Sequence, residues 1–108
     1  MPVYLFTFGF ETPTQHRNNA AHGWDDEDIR SVFIETDSAD SALAWGREIA
    51  ERFVQTLWRS RDEAPASWLA GNFSHWIETD ADTVATAHAS GVPCVRVGEH
   101  PAFGASAS

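Results

Sequence analysis

The sequence predicts an α+β domain, a two-layer α/β sandwich of about four strands with two helices on one face. The chain has 108 residues, enough for one hydrophobic core. It begins with a segment of period-two alternation, and its middle is a long amphipathic segment. The predicted order is β, long loop, β, α, β, α, β. We expect a single domain over residues 1–103 and a flexible tail over 104–108.

The first predicted strand covers residues 3–10. Neither of its two faces is strongly polar, which favours a central place in the sheet with cover on most of both sides. Gly9 indicates a bulge or a close approach of another chain segment. Aromatic residues occupy one face at period two: Tyr4, Phe6, Phe8 and Phe10.

Residues 11–28 form a long connection for a compact domain, and such connections are usually functional or mobile. This one contains a helix signal. Thr12 can cap a helix, Pro13 suits the first helical position, and Gln15 completes a capping box. Gly23 is a plausible stop. Because the segment has no apolar stripe, we expect any helix here to be short and marginal.

The second predicted strand, 29–36, leads into the strongest predicted helix, 39–59. At 100° per residue, its apolar side chains form one broad arc that includes Phe53, with Glu48 on the opposite side. Gly46 lies in the middle of that arc. A glycine there costs about 1 kcal/mol of helix propensity, so we expect the helix to contact the sheet closely at this point.

The last third of the chain predicts a polar loop over 60–67, a strand over 72–79 and a helix that ends at Gly91. The final strand, 92–97, has Pro93 near its start, where a backbone donor is not needed. We expect the buried side of the second helix to contain Val84, Ala87 and His88.

The charge of the chain restricts its partners. The net charge is −9, and all seven basic residues are arginine. Such a field argues against binding to nucleic acid and to anionic membrane surfaces. It suits a partner with a basic face. The absence of lysine excludes a P-loop lysine and a Schiff-base lysine.

Cysteine and histidine usage also restricts the function classes. The single cysteine, Cys94, excludes an intrachain disulfide, and we expect it to be a small buried hydrophobe. The first residues do not resemble a signal peptide, so we expect a cytoplasmic protein. No spacing of the five histidines selects a zinc site, and there is no glycine-rich phosphate loop. We therefore expect neither a metal nor a cofactor.

The candidate binding residues lie in the 11–28 connection, where histidine, amide, guanidinium and carboxylate groups are concentrated. The alternative is a surface loop whose polar side chains only cap and turn. The acidic run at 25–28 is either a docking patch for a basic partner or a solvated charge run. The predicted ligand- or partner-binding residues are His16, Arg17, Asn18, His22, Trp24 and Asp25.

These observations lead to two hypotheses. The first is a small acidic interaction module without catalysis, homodimeric because two layers leave one sheet face uncovered, with five tryptophans as possible anchors. The second is a small enzyme or polar-ligand-binding protein. In that case His22 or His16 would act as a general base oriented by Asp25. Arg17 and Asn18 would bind the substrate.

Overall fold

A computed structural model of the chain describes residues 1–59, 68–69 and 73–102. Its four-stranded mixed sheet and its helices confirm the predicted α+β class. The predicted loop 60–67 and the predicted tail 104–108 lie outside the described residues. The elements in chain order are β1 (Val3–Phe10), α1 (Pro13–His22), β2 (Asp28–Glu35), α2 (Ala39–Arg59), β3 (His75–Glu78), α3 (Ala81–Ala89) and β4 (Cys94–Arg96).

The sheet has the strand order β3-β1-β2-β4. β1 is antiparallel to both of its neighbours, whereas β2 and β4 are parallel. Phe6 therefore lies opposite Val32 on one side and Ile77 on the other. The central place predicted for the first strand is confirmed.

Helix α2 covers the aromatic face of the sheet. At Gly46, a Cβ atom would overlap the ring of Phe6, so only glycine allows the observed distance between helix and sheet. The close contact predicted at Gly46 is confirmed. The core cluster contains Phe6, Phe8, Phe10, Val32, Ile34, Ala42, Ile49, Ala50, Val54, Leu57, Trp58, Trp68 and Val95.

Trp68 closes this core beside Gly9. Its indole Nε1 donates to the carbonyl oxygen of Gly9 at 2.8 Å, and its ring lies edge-on to Phe8 with centroids 5.9 Å apart. The amide of Gly9 donates to the carbonyl of Ser74 at 2.9 Å. The close approach expected at Gly9 is therefore made by two other segments of the chain.

The opposite sheet face is covered in part by α3. Phe33 is 2% exposed, and the His88 ring stacks on it with centroids 4.1 Å apart. Val84 and Ala87 of α3 are half-buried, and His88 remains exposed in spite of the stacking. The side of α3 that the sequence predicts to be buried is thus only half-buried, because the helix is short and contacts the sheet mainly through the ring of His88.

Helix α1 has the predicted ends. The Thr12 hydroxyl accepts from the Gln15 amide at 3.1 Å, and the Gln15 side chain accepts from the Thr12 amide at 3.0 Å. Gly23 ends the helix in the left-handed conformation, at φ 70°. Pro13 is the only buried residue of α1. The helix therefore depends on its caps more than on an apolar face.

Candidate functional site

A cleft of about 230 Å³ lies between α1 and the segment that enters β2. Three of the predicted binding residues, His16, Trp24 and Asp25, line it. It is open to solvent and carries three carboxylates. The complete lining consists of Glu11, His16, Asn19, Ala20, Trp24, Asp25 and Glu27.

Asn19 fixes the shape of this cleft. Its side-chain nitrogen donates to Glu11 Oε2 at 2.8 Å and to the carbonyl of Asp26 at 3.0 Å. Its side-chain oxygen accepts from the Asp26 amide at 3.0 Å. The acidic run is thereby folded back along α1, so that Asp25 and Glu27 line the same cleft as Glu11.

Glu11 is also anchored through its backbone. Its carbonyl accepts from the indole Nε1 of Trp58 at 3.1 Å, and Trp58 is buried at the end of α2. The His16 ring lies edge-on to Trp58, with centroids 5.1 Å apart. His16 Nδ1 is 3.7 Å from Glu11 Oε2. The wall of the cleft formed by Glu11 and His16 is therefore attached to the hydrophobic core.

Trp24 forms the aromatic wall of the cleft. It is 51% exposed. The ring of His22 stacks on it with centroids 4.3 Å apart and an interplanar angle of 22°. His22 thus supports Trp24 rather than lining the cleft. An exposed indole beside carboxylates is an arrangement that attracts cations, because the ring face carries partial negative charge.

The structure does not bring all the predicted binding residues together. Arg17 and Asn18 are exposed and do not line the cleft. Among the described residues, no hydrogen bond joins His16 or His22 to Asp25. The pairing of histidine with Asp25 that the enzyme hypothesis names is therefore not formed in this part of the chain, and His16 lies beside Glu11 instead.

Glu11 and Glu27 are absent from the residues that the sequence predicts for the site. Glu27 belongs to the acidic run and could have been included with it. Glu11 gives no signal in the sequence, because its place in the cleft depends on the turn that Asn19 holds against α1. The prediction for Cys94 is wrong: the thiol is exposed, because Cys94 belongs to an outer strand on the side of the sheet away from α2.

A second groove, of about 510 Å³, follows the outer side of α2 and includes His100. Its carboxylates already accept hydrogen bonds or lie near a positive charge. Glu51 accepts from the side chain of Gln55 at 3.0 Å and from the amide of Leu69 at 2.8 Å, and Arg52 lies in the same wall. The cleft at α1, with three carboxylates and no arginine in its lining, is the more negatively charged of the two.

No known protein family matches the chain, and no curated protein or solved structure matches it either. In the described ranges, no helix is both long and apolar enough to cross a membrane. Nor do these ranges contain three or more histidine, cysteine or acidic side chains grouped so that they could hold a metal ion.

Proposed function

We propose that the protein is a small interaction module that binds a positively charged segment of a partner protein, with an arginine or lysine side chain in the acidic cleft. The observation that carries this proposal is the joint lining of one cleft by Glu11, Asp25, Glu27 and the exposed ring of Trp24. The net charge of −9 supports it, because a field of that sign accelerates encounter with a basic partner.

Arginine fits the cleft better than lysine. A guanidinium group is planar, so it can stack on the ring of Trp24 while its N–H groups bond to a carboxylate in a bidentate way. Asp25 and Glu27 supply such carboxylates in the lining of the same cleft. Glu11 is partly engaged by Asn19 and adds negative charge rather than a free hydrogen-bonding edge.

Homodimer formation and a cytoplasmic location remain proposals. The sequence predicts a dimer because two layers leave one aromatic sheet face uncovered. In the structure the aromatic face of β1 lies under α2, and Phe33 on the other face is stacked by His88. A partner of different sequence therefore accounts for the acidic cleft more directly than a second copy does.

The proposal is tested by titrating the full chain with a hexa-arginine peptide, using calorimetry together with tryptophan emission. We expect binding that weakens as salt is added, because the contact is largely electrostatic. The double variant Asp25→Asn/Glu27→Gln should bind at least about tenfold more weakly, which corresponds to loss of one or two charge-assisted contacts.

The matched control is the double variant Asp40→Asn/Asp82→Asn, which removes the same amount of charge from the first turns of α2 and α3. It should bind the peptide almost as well as the unmodified chain. Equal losses for the two double variants would show that the peptide senses only the net charge, and the cleft would then not be the binding site.

A further inference from the structure

β4 leaves half of the outer edge of β2 without a neighbouring strand. β2 begins at Asp28, but β4 pairs only with Phe33, Ile34 and Glu35. The first bond between the two strands joins the amide of Phe33 to the carbonyl of Pro93 at 2.8 Å. In this parallel register, the next donor toward β2 would be the nitrogen of residue 93. Proline has no N–H, so the ladder ends there.

The unpaired edge presents the backbone groups of Ile29 and Ser31. Because the amide of Phe33 points toward β4, the alternation of a strand directs the amides and carbonyls of these two residues to the same side. In the part of the chain that the structure describes, these groups have no backbone partner. The turn before β4 supplies no donor to their carbonyls, since the amides of Gly91 and Val92 bond to the end of α3, and the amides of Ile29 and Ser31 form no bond to a carbonyl of the described part of that turn.

A groove of about 420 Å³ lies along this edge. It is lined by Ile29, Arg30 and Ser31 of β2, by the α3–β4 turn over 90–93 and by Ala102. Arg30 is the one charged residue among the described residues of this lining, so the negative charge that attracts a basic segment lies in the acidic run before β2 and not in the groove itself. Ile29 is 63% exposed and offers an apolar contact beside the unpaired backbone groups. A space next to an open strand edge is the usual setting for strand addition by an extended peptide.

We propose that this groove takes an extended, positively charged segment of the partner protein, which adds to the edge of β2 as a short strand at Ile29 and Ser31. The inference rests on the proposed function, from which the charge of the segment is taken. The acidic cleft and the edge are continuous along the chain, because Glu27 lines the cleft and Ile29 lies two residues later. One segment can therefore place a basic side chain in the cleft and its backbone on β2.

Charge decides between this segment and a second copy of the chain. Each of two copies carries a net charge of −9, and repulsion between like-charged chains opposes their pairing. A basic segment instead meets the run from Asp25 to Asp28, which leads directly into the open edge.

The experiment is residue-resolved hydrogen exchange on the full chain, free and saturated with the peptide acetyl-Arg-Val-Arg-Val-Arg-Val-amide. The amides of Ile29 and Ser31 should exchange at least about tenfold more slowly in the complex, because each gains a backbone acceptor. The amide of Arg30 points toward β1 and should not change. Spermine is the control probe: it carries positive charge without peptide groups, so it should occupy the cleft and leave Ile29 and Ser31 unprotected.

The other outcomes overturn the inference in distinguishable ways. Peptide binding without protection at Ile29 and Ser31 would reject strand addition and leave the acidic-cleft function standing. Absence of binding by both the peptide and spermine would reject the proposed function as well. Slow exchange of the Ile29 and Ser31 amides already in the free chain would reject the inference. If this protection increased with protein concentration, the edge would be occupied by a second copy. If it disappeared on truncation after Ala102, the edge would be occupied by the C-terminal residues.

Discussion

Helices α1 and α2 are stabilised in opposite ways. The inner side of α2 is buried against the sheet, with residues such as Ile49 and Ala50 fully enclosed. α1 buries only Pro13, at its first turn, and depends on the Thr12 capping box, the left-handed Gly23 and the hydrogen bonds of Asn19. One helix is therefore a product of tertiary packing, and the other of side chains that satisfy its ends.

This difference has a functional meaning. The helix that shapes the acidic cleft buries only Pro13. Among the described side chains of α2, only Trp58 supports the cleft, through its bond to the carbonyl of Glu11. The two helices should therefore respond differently to substitution, and four measurements test this.

The largest effect is expected at the core side of α2. The ring of Phe53 lies edge-on to Phe10, with centroids 5.1 Å apart, and also contacts Phe8. Phe53→Ala should lower the free energy of unfolding by about 3 kcal/mol through lost burial and the cavity that remains. The control on the exposed side, Glu48→Ala, should stay within about 0.5 kcal/mol. Equal urea midpoints for the two variants would show that the buried side of α2 is assigned wrongly.

A smaller effect is expected where α2 approaches the sheet. Gly46→Ala should destabilise by about 2 kcal/mol, because the added methyl group overlaps the ring of Phe6. The steric cost of the overlap should therefore exceed the gain of about 1 kcal/mol that alanine brings in helix propensity. The double variant Gly46→Ala/Phe6→Leu should lose less than the sum of its single variants, since the smaller side chain relieves the overlap. Strict additivity in chemical denaturation would contradict the close contact.

At α1, we expect the loss of a single side-chain cap to lower the free energy of unfolding by about 1 kcal/mol. Thr12→Ala removes the hydroxyl that accepts from Gln15 and leaves the amides of the first turn without a cap. Thr14→Ala, two residues later and exposed, is the matched control and should be nearly neutral. Hydrogen exchange of the α1 amides should accelerate in the first variant only. If both variants behave alike, the capping box does not stabilise α1.

The smallest effect is a pH dependence of the free energy of unfolding, which arises at the exposed margin of α2. Trp45 donates its indole N–H to the carbonyl of Glu99 at 2.8 Å, and its ring contacts His100. Burial lowers the pKa of His100 below its usual value of 6.5, and the positive charge of Arg52 lowers it further, while Glu48 opposes the shift. The folded state therefore favours the neutral ring. Its contribution to stability is present above pH 6.5 and is lost as the pH falls.

Unfolding of the chain and of His100→Gln by urea at about pH 7.5 and about pH 5.5 checks this sign. The unmodified chain should lose more stability than the variant on acidification. An equal loss in the two proteins would mean that His100 does not contribute to the pH dependence.

Local patterns were sufficient for most elements. The bounds predicted for β1 and α2 coincide with the observed ones, and Thr12, Gln15 and Gly23 have the predicted capping roles in α1. β2 is displaced by one residue from the predicted 29–36. β3 is shorter than predicted, and its predicted start at residue 72 lies outside the described residues. Periodicity and caps predict such features because they depend on neighbours in the sequence.

The sheet order and the complete cleft could not be predicted in the same way. The pairing of β1 with β3 joins segments about 70 residues apart, such as Leu5 and Glu78, and nothing local to either strand selects it. Likewise, the predicted cluster contained His16, Trp24 and Asp25, but Glu11 enters the cleft only through the hydrogen bond from Asn19. Contacts of this kind depend on the folded geometry of a turn, to which periodicity is insensitive.

The strand order β3-β1-β2-β4 also has a consequence for the order of folding. Only β1 and β2 are both consecutive in sequence and adjacent in the sheet, so their antiparallel pair closes the shortest chain loop and can form first. β3 follows α2 in the chain, so its pairing with β1 requires that α2 first pack across the sheet. β4 lies still further along the chain and pairs with β2. The two outer strands thus have the highest contact order, and their docking should limit the folding rate.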